Sequence, residues 1–235
     1  MGILSKLIGA VKVCSNVFSR YLINRYLINR YCRGKGLEIG PGTVPYSRSL
    51  ETVYVDKFLT HRVSARKYVT ADASSLPFKD NSFGFVISSH CLEHCPNTLK
   101  VLEEWKRVIL PNGVIFLILP HGERTFDRGR QLTTLEHHIE DQTKGVDESD
   151  STHWEEFAEY SIPQYDHGWT NQARNEDGSW NFEWIAASGN LHYHVWTQNG
   201  IIGVLKHLGC RILVCLEELI GRTDSFVVVA CIEKD

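Results

Sequence analysis

Three acidic residues in the first third of the chain stand at the ends of apolar runs: Glu38 in "GLEIG", Asp56 in "TVYVD" and Asp72 in "KYVTAD". Singly, such a carboxylate is best read as a cap on the helix that follows. Three at successive strand ends instead mark the edge at which open α/β sheets bind their ligands. Gly40 and Gly42, in "GLEIGPGTVP", let a backbone come close to a ligand at that edge. The turn is not a dinucleotide fingerprint, because Pro45 stands where a third glycine is wanted, and no lysine follows in P-loop spacing. Glu38 would repel a pyrophosphate, so the ligand beside it should present a cationic or hydrogen-bond-donating group. Asp56 is placed to accept ribose hydroxyls and Asp72 to accept from an exocyclic amine.

Proton transfer near neutral pH suits histidine, and four groups are candidates. "SSHCLEH" holds His90, Glu93 and His94 after the fourth apolar run, and His121 follows the fifth. "TTLEHHIED" holds His137 and His138, and "LHYHVW" holds His192 and His194, which share a face if extended. The plainer alternative is that a histidine at a strand end caps or supports, and that His94 faces water. Arg124, Arg128 and Arg130 alternate with Asp127, either as a salt-bridged loop or as a grip on carboxylates or phosphates of an acceptor. Trp154, Trp169, Trp180, Trp184 and Trp196 either stack on sugar faces or fill the core of a lid. His121, Asp127, His137, His192 and His194 are metal-ligand types, but their spacings are irregular and no metal is expected. Cys91 and Cys95 lack a second pair to complete a zinc site.

These residues need a sheet to carry them. "GLEIG", "TVYVD", "KYVTAD", "FGFVISS" and "GVIFLILP" read as buried strands. Between the last two, "NTLKVLEEWKRVIL" (97–110) has apolar residues at helical spacing and stops at Pro111-Asn112-Gly113. Alternation of this kind predicts a parallel sheet with helices on both faces. At the C-terminal end a helix over 197–209 precedes "RILVCLEEL" and "SFVVVACIE". The gap between those two runs is too short for a crossover helix, so they must pair antiparallel.

The chain has 235 residues, a size that suits one α/β domain with an insertion. Residues 121–196 hold most of the histidines and tryptophans but few long apolar runs, and a connection this long is expected to be a lid. Residues 1–36 carry seven basic side chains and no acid, which leaves the remainder acidic. The repeat over Arg20–Tyr31 predicts a basic amphipathic helix, set over the ligand cleft or lying weakly on an anionic membrane surface. No apolar run is long enough to span a bilayer. Seven cysteines without a secretory signal predict free thiols in a reducing cytoplasm. The acidic body disfavours nucleic acid as a partner.

The motifs "LEIGPGT" (37–43), "VYVDK" (53–57), "ADASSLPFKDNSFGFVISSHCLEH" (71–94) and "EEWKRVILPNGVIFLILP" (103–120) resemble those of class I S-adenosylmethionine-dependent methyltransferases of the small single-domain type. The likeness covers roughly residues 35–120, and the closing helix and hairpin match the family's topology. One departure is Asn112, where the family commonly has glycine. The resemblance implies a Rossmann-like sheet of seven strands and S-adenosylmethionine as cofactor. Glu38 would lie near the methionyl amino group, Gly40, Pro41 and Gly42 would give the backbone room, and Asp56 with Lys57 would lie at the ribose. Asp72 and the Ala73 N–H would hold the adenine, with Ser89 and His90 facing the sulfonium and the acceptor.

The domain reading is an N-terminal basic helix (1–34), a cofactor-binding core (35–120 and 197–235) and an acceptor lid (121–196). The expected activity is O-methylation of a sugar, glycan or related small molecule in a polysaccharide or sugar pathway. His90, His94 and His137 are the candidate bases, and His121, Arg124, Asp127, His192, His194 and Trp196 are expected to meet the acceptor. The alternatives are methylation of a carboxylate or another small metabolite, and a non-catalytic cofactor-binding scaffold. Location is expected in the cytoplasm, with any membrane contact peripheral and through residues 1–34.

Overall fold

The computed structural model describes residues 25–47, 49, 51–58, 67–164, 167–218 and 223–234, with the backbone alone at 167–169. Seven strands form one sheet: β1 (Gly36–Ile39), β2 (Thr52–Asp56), β3 (Tyr68–Thr70), β4 (Phe83–Ser89), β5 (Ile109–Pro120), β6 (Cys210–Leu216) and β7 (Ser225–Ile232). Their order is β3-β2-β1-β4-β5-β7-β6. The first five run parallel, and β7 lies antiparallel between β5 and β6. This is the expected mostly parallel α/β sheet with a C-terminal antiparallel hairpin. The order reverses between β1 and β4, which opens a crevice at their carboxyl ends.

Alternation sorts the side chains to two cores. Ile115, Leu117 and Leu119 of β5 and Phe226, Val228 and Ala230 of β7 pack with helices α1 (Thr98–Val108) and α2 (Leu135–Lys144) on one face. Leu135 marks the contact of α2 with that core. Val114, Phe116, Ile118, Val227 and Val229 face the other side, covered by Leu27 and Ile28 of the helical stretch 25–31. That stretch therefore lies on the sheet face, not over the cleft as one reading expected. Residues 1–24, which hold most of the basic segment, lie outside the described residues.

Helix α1 starts one residue inside the expected span, where the Asn97 side chain accepts from Lys100 N at 3.0 Å. β5 begins earlier than expected, at Ile109. Phe83 pairs with Ile109 and Phe85 with Val114, so Leu110–Gly113 bulge out of the ladder around Asn112 at φ +61°. The turn signal at Pro111-Asn112-Gly113 thus makes a bulge inside a strand.

The connection 121–196 carries short helices α3 (His167–Gln172) and α4 (Phe182–Ala187) besides α2. It has a core of its own in Phe157, Ile162, Ile185 and Leu191, against which Trp154, Trp180 and Trp184 pack. Helix α5 (Gln198–His207) then returns the chain to the sheet. Trp196 is buried in the main core. These four tryptophans are core residues, and the side chain of Trp169 lies outside the described residues.

Candidate active site

A cavity of about 880 Å3 opens at the carboxyl ends of β1, β2, β3 and β4. Gly40 and Gly42 line it with φ of +66° and +55°, a left-handed backbone that glycine adopts without strain. A Cβ at Gly40 would stand 2.7 Å from Cys91 Cβ, whereas one at Gly42 would meet nothing within 4 Å. The turn therefore leaves open space beside a bare backbone. Glu38 is not in the cavity wall. Its buried carboxylate accepts from Tyr46 N at 2.7 Å and Ser47 N at 2.8 Å, which holds the loop after β1 in place. Pro41 is buried behind the turn and Ser89 also falls outside the wall.

Asp56 and Asp72 both line the cavity, with Lys57 and Ala73 beside them. Asp56 Oδ1 accepts from Phe58 N at 3.0 Å. Burial pulls the Asp72 carboxyl upward, but the Ser74 N–H and hydroxyl, each at 2.8 Å, and the Lys57 ammonium hold it below the usual carboxylate range. Lys57 bridges Asp72, at 3.4 Å, and Glu148 of the connecting segment. That segment supplies the opposite wall through Val146–Ser149 and Ala186–Tyr193, with residues 188 and 192 set back from it.

Two of the three candidate bases reach the cavity. His90 directly follows β4 at φ +50°, a strained backbone for a residue with a Cβ, and its backbone N–H donates to Ile118 O. Its Nε2 lies 2.9 Å from Ser225 Oγ, whose hydroxyl donates to Asp224 Oδ1 at 2.7 Å. The Ser225 oxygen then accepts the Nε2 proton, and Nδ1 faces the buried Glu93 carboxylate at 3.5 Å. His94 Nδ1 donates to Leu191 O at 3.0 Å, which assigns its lone pair to Nε2. Burial, then the neighbouring His192, push the His94 imidazole down to about 3, so it is neutral near pH 7.

The other expected residues stand elsewhere. Asp127 accepts from Arg130 Nη1 and Ser161 Oγ, both at 2.9 Å, and its second oxygen lies 2.6 Å from His192 Nδ1. Asp127, Arg130 and His192 are all buried, so they form a polar core within the connection. His121 donates its N–H to Asp224 O, and Arg124 reaches Glu217 O and Glu218 at the hairpin. His137 and His194 meet at Asp141, beside His138, which stacks on Trp196 at 4.9 Å. The five residues considered for a metal are therefore divided among three places. Sequence reasoning passed over Tyr193, Asn190 and Asp147–Ser149 of the wall, because nothing in their spacing signals a return to the sheet edge.

The same fold occurs in solved structures. An S-adenosylmethionine-dependent methyltransferase of Thermotoga maritima, described as a possible histamine N-methyltransferase, superposes with a TM-score of 0.54 at 13% identity. The alignment covers 92% of this chain and 88% of that one. A second such methyltransferase, from Mesorhizobium loti, gives 0.54 at 13% identity over 89% and 95%. The architecture is that of the class I S-adenosylmethionine-dependent methyltransferases. Residues 37–117 match the family model of the methyltransferase domain, and the chain carries a domain of that class, whose cofactor is S-adenosylmethionine. Curated relatives align over the same part. Demethylmenaquinone methyltransferase of Staphylococcus aureus is 39% identical over 81 residues, 34% of this chain and 33% of that one. A sterol 4-C-methyltransferase of Caenorhabditis elegans is 32% identical over 88 residues, 36% and 26%. Ajmaline N-methyltransferase of Rauvolfia serpentina is 31% identical over 97 residues, 41% and 31%. The matched stretch spans less than half the length of each of these relatives.

Proposed function

We propose that the chain methylates a hydroxyl of a sugar, glycan or related polyhydroxylated small molecule, with residues 121–196 as the acceptor lid. The observation that carries this reading is His90, held in a strained backbone at the end of β4 with Glu93 on one ring nitrogen and Ser225 on the other. An alcohol must lose a proton on methylation, and this is a group built to receive it. The turn at Gly40 and Gly42 fits a cofactor laid against the backbone, and Asp56 and Asp72 fit its ribose and adenine. S-adenosylmethionine supplies an electrophilic methyl group on its sulfonium. The protein's part is to orient the acceptor and exclude water through the wall at 146–149 and 186–193. His90, which lines the cavity, takes the acceptor proton, and Glu93 stabilises the imidazolium that results.

Asp147 and Glu148 on the lid side oppose an anionic acceptor, which disfavours carboxylate methylation. The same two acids favour an amine as the second reading. A panel of sugars, nucleotide sugars and amines with labelled S-adenosylmethionine separates the two. For a hydroxyl acceptor, His90→Ala should lower kcat by roughly 10²–10⁴-fold while cofactor binding persists. A fall below about threefold would remove the base from the mechanism. A folded chain that binds the cofactor but methylates nothing on the panel would favour a scaffold role.

A further inference from the structure

Outside the cavity, four side chains converge in a way that hydrogen bonding alone satisfies poorly. His137, Asp141, His153 and His194 each present a donor atom, and these atoms all lie within 4.8 Å of one another. His137 Nε2 lies 3.1 Å from His153 Nε2 and 3.3 Å from Asp141 Oδ2. His194 Nε2 lies 3.0 Å from the same Asp141 oxygen. His137 Nε2 carries one proton or one lone pair along a single direction, so it cannot serve both partners with good geometry. Donors about 2.0–2.1 Å from a common tetrahedral ion stand roughly 3.4 Å apart, close to the spacings seen.

We infer that these four residues bind a divalent transition metal, with zinc the best match to three imidazoles and one carboxylate. His194 is further held by a contact of 3.2 Å between its Nδ1 and Thr98 Oγ1, the kind of outer partner that leaves Nε2 free for a metal. Four protein ligands leave no open position, so the ion is structural. Its place gives it a task. Asp141 and His153 flank the wall stretch 146–149, and His194 directly follows the wall stretch that ends at Tyr193. Thr98 begins α1 on the core. The ion ties both wall stretches to each other and, through His194, to the sheet domain. The sequence spacing of these ligands is irregular, which is why no metal was expected from it.

The inference stands apart from the methyl-transfer reading, because metal content is measured without an acceptor. The full-length chain is dialysed against zinc, freed of excess, and assayed for bound metal. Cobalt substitution is followed by visible absorption, and unfolding temperature is recorded with and without a chelator. One zinc per chain, intense cobalt bands of a tetrahedral site and a lower unfolding temperature with chelator are expected. His137→Gln, at the partly exposed ligand, should weaken zinc at least about tenfold. His94→Gln should leave zinc binding unchanged, which separates this site from the grouping of Glu93, His94 and His192 beside the cavity. Wild-type chain that is folded by circular dichroism yet retains no zinc or cobalt would overturn the inference. So would zinc binding lost in His94→Gln but kept in a His137→Gln/His153→Gln double variant.

Discussion

At Gly40 a methyl group would meet Cys91 Cβ at 2.7 Å, on a backbone whose φ of +66° already disfavours any side chain. Gly40→Ala is therefore expected to destabilise the fold by about 1–3 kcal/mol and to weaken cofactor binding, read by thermal unfolding and isothermal titration. Asp56 makes one recorded hydrogen bond to Phe58 N and otherwise faces the cavity. Its removal should leave stability almost unchanged. Loss of a charged acceptor for ribose hydroxyls is worth roughly 1.5–3 kcal/mol, so Asp56→Ala should weaken S-adenosylmethionine binding by about 10–150-fold. Equal affinity in the variant would show that the ribose sits elsewhere.

Among the elements, the loop after β1 depends on Glu38. Both carboxylate oxygens accept backbone N–H groups, from Tyr46 and Ser47, and the residue is buried. Glu38→Ala would strand those donors, at a cost of about 1–3 kcal/mol for each one left unsatisfied. The urea midpoint should fall, and cofactor affinity should fall with it as the loop loses its support. Glu38 thus holds the backbone of the loop beside the cavity, a role that its place at a strand end did not reveal.

Across the whole molecule, buried ionisable groups set the dependence of stability on pH. His94 titrates near 6.5 when unfolded and is pushed down to about 3 when folded. Because the folded pKa is the lower, its contribution is present above pH 6.5 and is lost as the pH falls. Asp127 is also held low: burial raises it, but His192, Arg130 and Ser161 outweigh that. Its contribution is present above its unfolded value near 3.8 and is lost only in stronger acid. Unfolding temperature should therefore decline in two overlapping stages, the first running from pH 6.5 down to about 3 and the second setting in below about 3.8. Each kcal/mol lost corresponds to about 2–4 °C. His138, His153 and His194 are pushed down by burial as well, so His94→Gln should make the first stage shallower and leave the second; an unaltered slope would assign the loss to those other histidines.

The sequence alone determined the sheet, its terminal hairpin and the edge at which the cavity opens. Those follow from local signals: alternating apolar runs, acids at strand ends, a glycine turn, and a gap too short for a crossover. Gly40, Gly42, Asp56, Asp72, His90 and His94 were legible for that reason, since each lies within a few residues of a strand end. Tertiary structure decided the rest. Residues 121–196 fold on contacts between positions far apart in the chain, such as Asp127 with His192 and Asp141 with His194. Spacing along the chain carries no record of such pairings, so only the folded molecule could separate the histidines of the cavity from those of the proposed metal site.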